Sequence, residues 1–287
     1  ACDDALQTVA RETAGLCGLH IVVGHPAPAL GGERGRSVSR PPCLNAASVL
    51  FEGQLTQHYA KRELPNYQAF DERRYFVPGD APCVFEIAGA NGQKVKVGLL
   101  ICEDAWFEAP AVEARAAGAE LLAVINASPF HAGKGDEREQ AMRLRVLATG
   151  LPLVYAHLVG GQDEIVFEGR SFALDRDGAL AARAPSFAED LFTVSLSSPA
   201  EAAAGPSHFG LTGPIAPEAS LEADLWHALV LGVRDYVGKN GFPGALLGLS
   251  GGIDSALVLA IAVDALGADK VRAVMMPSPY TADISWI

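Results

Sequence analysis

Residues 97–106, VGLLICEDAW, carry an unbroken apolar run into a cysteine, two acids and a tryptophan. Such a run reads as an interior strand covered on both faces, and the alternating residues ahead of it extend the strand to 93–102. Cys102, at its end, has two readings. Cysteine is among the most buried residue types, so taken alone Cys102 is a core thiol. The other reading is a nucleophile held up at the edge of a sheet.

Outward from this strand, helix and strand signals alternate, as in an α/β protein. Pro110 to Ala117 suits a helix with proline near its first turn, and 120–128 (ELLAVINAS) a strand. Residues 136–150 have early acids and later arginines, the order a helix dipole favours. Residues 151–161 read as a strand, 164–178 as a hairpin ending in the Asp177-Gly178 turn, and 190–197 as a closing strand. On the upstream side, 1–16 has amphipathic helical spacing and 19–26 (LHIVVGHP) is a buried strand. Residues 28–43 read as an exposed loop, and 46–61 as two strands joined at Glu52-Gly53.

Composition shifts over 198–220, which holds four prolines and no sustained period, and this segment reads as a linker between 1–197 and 221–287. Beyond it, Leu225, Trp226, Leu229, Val230, Val233, Tyr236 and Val237 share one helical face. Residues 244–278 then read as strand, Gly-rich turn, helix and strand, a single βαβ unit.

The balance of charges excludes some partners. A net charge of -12 argues against a nucleic-acid surface, which needs clustered Lys and Arg. No apolar run reaches membrane-spanning length, and the start has no signal-peptide pattern. The five cysteines, 2, 17, 43, 83 and 102, form no CxxC pair and suit reduced thiols in a cytoplasmic protein. The opening helix without a strand ahead of it, and an end just past a strand, lead us to expect a fragment.

The sharper motif is LLGLSGGIDSAL (246–257), with Ser250-Gly251-Gly252 between a strand and a helix N-terminus. Adjacent glycines let backbone amides approach an anion, and Ser250 and Ser255 add hydroxyl donors. Asp254 fits a phosphate ligand when a Mg²⁺ lies between them. The GxxxxGK[ST] pattern is absent here. A purely structural Gly-rich turn is the plain alternative, and the full Ser-Gly-Gly-Ile-Asp-Ser string places it behind.

This string resembles the pyrophosphatase loop of the ATP-dependent adenylating amidotransferases, and with VMMPSPYT (274–281) it is most similar to that of the NAD synthetases. In the resemblance, Gly248, Leu249, Ser250, Gly251, Gly252, Ile253, Asp254 and Ser255 bind ATP, with Asp254 on Mg²⁺. Glutamine-dependent members carry a glutaminase domain of the nitrilase family ahead of this one, an αββα sandwich with a Glu-Lys-Cys triad. The implied fold is therefore that sandwich followed by the start of a Rossmann-like α/β ATP-pyrophosphatase domain. The parts occur in order: Lys61 in AKRELPNYQAFDERRYF (60–76), Cys102 in GLLICEDAW, and NASPFHAGK (126–134). The resemblance implies Cys102 as nucleophile, Lys61 as oxyanion stabiliser, and Glu72 as the acid that orients Lys61. It assigns glutamine binding to Tyr67, Ser128 and Lys134.

A free thiol titrates near about 8.5, so the nucleophile needs a base and a cation. The family's base glutamate precedes the helix that opens this chain, which is why the chain by itself is expected to be inactive. The family's activity is ATP-dependent amidation of deamido-NAD with ammonia from glutamine, performed in a homo-oligomer. The rival is a stand-alone nitrilase-family amidase, against which residues 246–257 argue.

Overall fold

The computed structural model describes residues 1–29, 43–67, 70–89, 92–197 and 210–276. Most of the expected loop at 28–43, the first part of the expected linker, and PSPYT (277–281) lie outside the described residues.

Helix α1 (Cys2–Thr13) leads into an antiparallel sheet of β1 (His20–Pro28), β2 (Cys43–Phe51) and β3 (Gln54–Ala60). The turn between β2 and β3 falls at Glu52-Gly53, where both residues have positive φ. The chain then enters a second, six-stranded sheet at β4 (Cys83–Ala88) and β5 (Lys94–Ile101). After β5 come α2 (Glu108–Ala116), β6 (Leu121–Asn126), α3 (Lys134–Thr149) and β7 (Leu153–His157), and β5, β6 and β7 run parallel.

The stretch expected to be one strand over 151–161 is two elements, because β8 (Val159–Gln162) leaves the sheet and pairs with β9 (Ile165–Glu168). The hairpin across Asp177-Gly178 joins β10 (Phe172–Leu174) to β11 (Leu180–Arg183), which add antiparallel to the outer side of β7. One apolar run in the sequence thus serves two sheets, since Leu158 is exposed between them.

Alternation on β5 explains the layers. Val97, Leu99 and Ile101 pack with Ala47 and Val49 of β2 between the two sheets. Leu100 packs with Ala111, Ala114, Met142 and Val146 beneath α2 and α3. Leu50 of β2 meets Leu6 and Ala10 of α1 on the far side. The order helix, sheet, sheet, helix is an αββα sandwich.

Within the expected linker, β13 (Gly210–Thr212) pairs antiparallel with β12 (Ser195–Ser197), so its second part is tied to the sandwich. Helix α4 (Leu221–Lys239) follows, capped by Ser220. Its buried residues are Ala228 and Leu231, packed on Phe187 with Phe130, Val159 and Val166. Leu225, Leu229 and Tyr236, on the face the sequence groups together, are exposed. Helix α4 is gripped on two sides: the β8–β9 hairpin takes the Ala228 side, and the Trp226 indole donates to Asp264 Oδ2 on α5 (Ile253–Leu266) at 2.8 Å. Close approach to the hairpin depends on Gly161. A Cβ there would lie 3.2 Å from both Asp235 Cβ and Gly232 Cα, and the Gly161 N–H donates to Asp235 Oδ2 at 2.7 Å.

The last unit is β14 (Ala245–Gly248), α5 and β15 (Val271–Val274), with β14 and β15 parallel. It is the βαβ unit the sequence predicts, and together with the sandwich it makes the chain α/β. Among the described residues, no helix is long and apolar enough to cross a membrane.

Candidate active site

The parallel order of β5, β6 and β7 sets three strand ends side by side, and ligands of open α/β sheets gather at such carboxyl edges. Ile101 is paired with Ile125, and Asn126 with His157, so Cys102, Asn126 and His157 occupy neighbouring ends. Cys102 opens a 3-10 turn, Cys102–Trp106, and has φ 46°. A cysteine in the left-handed region is strained, and such strain persists only where surrounding contacts enforce it.

Those contacts come from Asp104, which is fully buried. One carboxylate oxygen accepts the backbone N–H groups of Arg62 (2.9 Å) and Glu63 (2.8 Å). The other accepts from the Tyr59 hydroxyl (2.8 Å) and the Ile101 N–H (3.1 Å). Asp104 thereby pins the segment after β3, which carries Lys61, onto the turn that carries Cys102. Burial pushes the Asp104 carboxyl up, and these hydrogen bonds pull it back. Lys61 is held from behind as well: its N–H donates to Asn45 O at 2.8 Å, and its own carbonyl accepts from Gly79 at 2.9 Å.

The Lys61 side chain is 1% exposed and its ammonium donates to Glu72 Oε1 at 2.7 Å. Glu72 Oε2 accepts from Asn45 Nδ2 at 3.3 Å. The Cys102 thiol is 6% exposed and is pushed up to about 11. Burial is the main cause; the Lys61 charge lowers it, Glu103 and Glu72 raise it, and a hydrogen bond from the Ala127 amide lowers it. Lys61 and Cys102 are thus both buried, with Glu72, 15% exposed, paired to Lys61 at the edge.

The three residues expected on the substrate side have the following contacts. The Tyr67 hydroxyl donates to Glu103 Oε1 at 2.7 Å while much of the ring is exposed, and burial of the hydroxyl together with this bond raises its pKa. The Lys134 ammonium lies 4.3 Å from the centroid of the Trp106 ring and 3.0 Å from Glu137 Oε2. Ser128 is buried, and its hydroxyl accepts from Asn126 Nδ2 and Arg138 Nε, each at 3.1 Å.

Behind Ser128 lies a polar cluster that sequence reasoning missed. Arg138 pairs with Glu168, and both side chains are 2% exposed. His157 Nδ1 contacts Gly169 O at 2.8 Å, and its Nε2 lies 3.1 Å from Ser128 O and 3.3 Å from Ser128 N. Burial, with Arg138 nearby, lowers His157 to about 3. Unfolding frees this ring to protonate near about 6.5. The unfolded chain therefore binds more protons between those values, and stability falls as pH drops from about 6.5 towards 3, by about 1.4 kcal/mol per unit. Denaturant midpoints measured against pH should show this slope in the wild type, reduced in His157→Gln.

The second site is separate. Between β14 and α5, Gly251 has φ 79°, which favours glycine, whereas Gly252 has φ −84° and needs no such freedom. The Ser250 and Ser255 hydroxyls are 3.1 Å apart, and Ser255 Oγ donates to Gly252 O at 2.9 Å. Leu249 N–H donates to Val274 O at 2.9 Å, which ties the loop to β15. Gly248 closes β14, and Ile253, Asp254 and Ser255 form the first turn of α5. The loop sits at the positive end of a 14-residue helix.

Comparison with known proteins covers both parts of the chain. Residues 225–286 match the NAD synthase family model. A glutamine-dependent NAD(+) synthetase from Xylella fastidiosa (strain Temecula1) is 45% identical over 286 residues, covering 99% of this chain and 48% of that protein. The chain spans about half the length of the curated relatives it matches. A solved glutamine-dependent NAD+ synthetase from Acinetobacter baumannii, in complex with ADP, superposes with TM-score 0.82 at 35% identity, covering 99% of this chain and 50% of that one. A carbon-nitrogen hydrolase from Helicobacter pylori G27 shares the sandwich fold, with TM-score 0.52 at 22% identity, over 78% of this chain and 69% of its own. The carbon-nitrogen hydrolase family model matches residues 11–204, and the chain belongs to that family.

Proposed function

We propose that this chain carries the glutaminase unit, and the start of the ATP-using unit, of a glutamine-dependent NAD synthetase. The observation that supports it most is the pair of buried Lys61 with Glu72 on a chain that holds a strained, buried Cys102 and the strand–SGGIDS–helix loop. Units 1–197 and 221–287, joined by 198–220, are the proposed division.

Cys102 Sγ attacks the carboxamide carbon of glutamine, and Lys61 Nζ stabilises the oxyanion. A thiol raised to about 11 is protonated at neutral pH, so this step needs a base. In the resembling family that base is a glutamate located ahead of the position of Ala1. Ammonia departs, and water then releases glutamate from the thioester. Glu72 orients Lys61, and Tyr67, Ser128 and Lys134 hold the substrate.

In the second unit, ATP adenylates the nicotinate carboxylate of deamido-NAD, and ammonia displaces AMP to give NAD. Residues 248–255 cradle the departing pyrophosphate. Mg²⁺ fits here because a phosphate-bound Mg²⁺ needs only one or two protein carboxylates, and Asp254 supplies one in the first turn of α5. When bound, it offsets charge on the leaving group. Free ammonia is lost to bulk water, so we propose a homo-oligomer that shelters its route.

The test is competitive labelling. Cys2 and Cys17 are exposed, whereas Cys102 is buried, so a simple alkylating agent reaches the first two sooner. A glutamine analogue with an electrophile in place of the carboxamide should reverse that order and label Cys102 first. Labelling of Cys2 and Cys17 ahead of Cys102 by the analogue would remove the nucleophile from this site.

A further inference from the structure

Asn126 ends β6, next to the end of β5 that Cys102 follows, since Ile101 and Ile125 are paired. The side chain is 7% exposed. Its amide is assigned with Nδ2 donating to Ser128 Oγ at 3.1 Å, an oxygen held in turn by Arg138 Nε. Oδ1 then has no hydrogen-bond partner among the described residues, although it is buried. Buried acceptors are almost always satisfied, and an unsatisfied one beside a nucleophile marks a place for a ligand donor.

The carboxamide of a primary amide has two polar ends. Its oxygen needs donors, which Lys61 supplies in the proposed reaction. Its NH₂ needs acceptors, and Glu72 is already engaged by Lys61 and Asn45. We propose that Asn126 Oδ1 accepts the N–H of the substrate carboxamide, so that Asn126 selects primary amides over esters of the same acid. This rests on the reading of Cys102 as the nucleophile. The amide group of Asn126 is fixed before substrate arrives, because Ser128 and Arg138 lock its other end. A site built around a hydrogen bond to substrate N–H discriminates against analogues that lack it.

An ester of the glutamate side chain keeps the carbonyl and the amino-acid portion but has no N–H. In the intact protein, Asn126→Ala should lower kcat/KM for glutamine hydrolysis by about tenfold or more, while hydrolysis of glutamate γ-methyl ester changes by less than about twofold. The ester rate also reports that the variant is folded. Asn126→Asp keeps an oxygen in the same place, so its amide-to-ester ratio should stay near that of the wild type. Equal losses on amide and ester overturn the proposal, as does an unchanged ratio in Asn126→Ala or a ratio in Asn126→Asp that falls as far as in Ala. If the wild type hydrolyses neither substrate, the nucleophile reading itself fails and takes this one with it.

Discussion

Under the proposed function, Cys102→Ala in the intact protein should abolish NAD formation from glutamine, by roughly a thousandfold or more, and leave formation from free ammonia within about twofold. The loss is large because no neighbour can replace the sulfur. Lys61 is committed to Glu72, and Cys83 lies within the core between the sheets, its thiol raised by burial. The second activity should survive because the SGGIDS loop belongs to the β14–α5–β15 unit and takes its conformation from its own serines and from β15. Substituting alanine for a buried cysteine removes one sulfur atom and disturbs packing little. Rates with both nitrogen donors, measured on one preparation, decide the matter. Parallel loss of both would show that the two chemistries are not separable as proposed.

Gly251→Val has the opposite signature. At φ 79° a β-branched residue is strongly disfavoured, and the loop must rearrange to accept it. Moving backbone amides by about 1 Å at a phosphate cradle costs on the order of a hundredfold in rate. Pyrophosphate release should therefore fall by about that factor with either glutamine or ammonia, while glutamate formation at Cys102 persists. Gly252→Ala is the control. Gly252 has φ −84°, and an added Cβ would meet only Ser250 Oγ at an ordinary 3.5 Å, so its conformation tolerates the methyl group. Any loss in that variant then reports the space the phosphates occupy rather than loop strain. Normal pyrophosphate release in Gly251→Val would take the ATP site away from residues 248–255.

Much of this organisation was legible because it repeats at short range. The apolar run of β5 and the βαβ unit at 244–278 declare themselves through local pattern, and the Glu52-Gly53 turn through its residue types. Lys61, Glu72 and Cys102 came from the resemblance, since 41 positions separate the lysine from the cysteine and nothing local joins them. What escaped the sequence was the support. Asp104 follows the cysteine closely, yet its four hydrogen bonds reach residues up to 45 positions away. Arg138 sits among acids and reads as a solvated helix charge, but it is buried against Glu168. The apolar face of α4 is legible as a face, but its partners, the β8–β9 hairpin and Asp264 of α5, are distant in sequence.

The contact between α4 and the β8–β9 hairpin bears on inheritance. Gly161 leaves the space that the backbone at Gly232 fills, Asp235 Oδ2 takes the Gly161 N–H, and the Lys239 ammonium donates to the Gly161 carbonyl. One half of this lock lies in the part that matches the carbon-nitrogen hydrolase model and the other half in the part that matches the NAD synthase model. A recombination event that joined this sandwich to a foreign second half would bring the hairpin a helix with the wrong small residue or the wrong acid. Positions 161 and 235 are therefore coupled: a Cβ at 161 crowds Asp235, and loss of the Asp235 carboxylate leaves the Gly161 N–H without this acceptor.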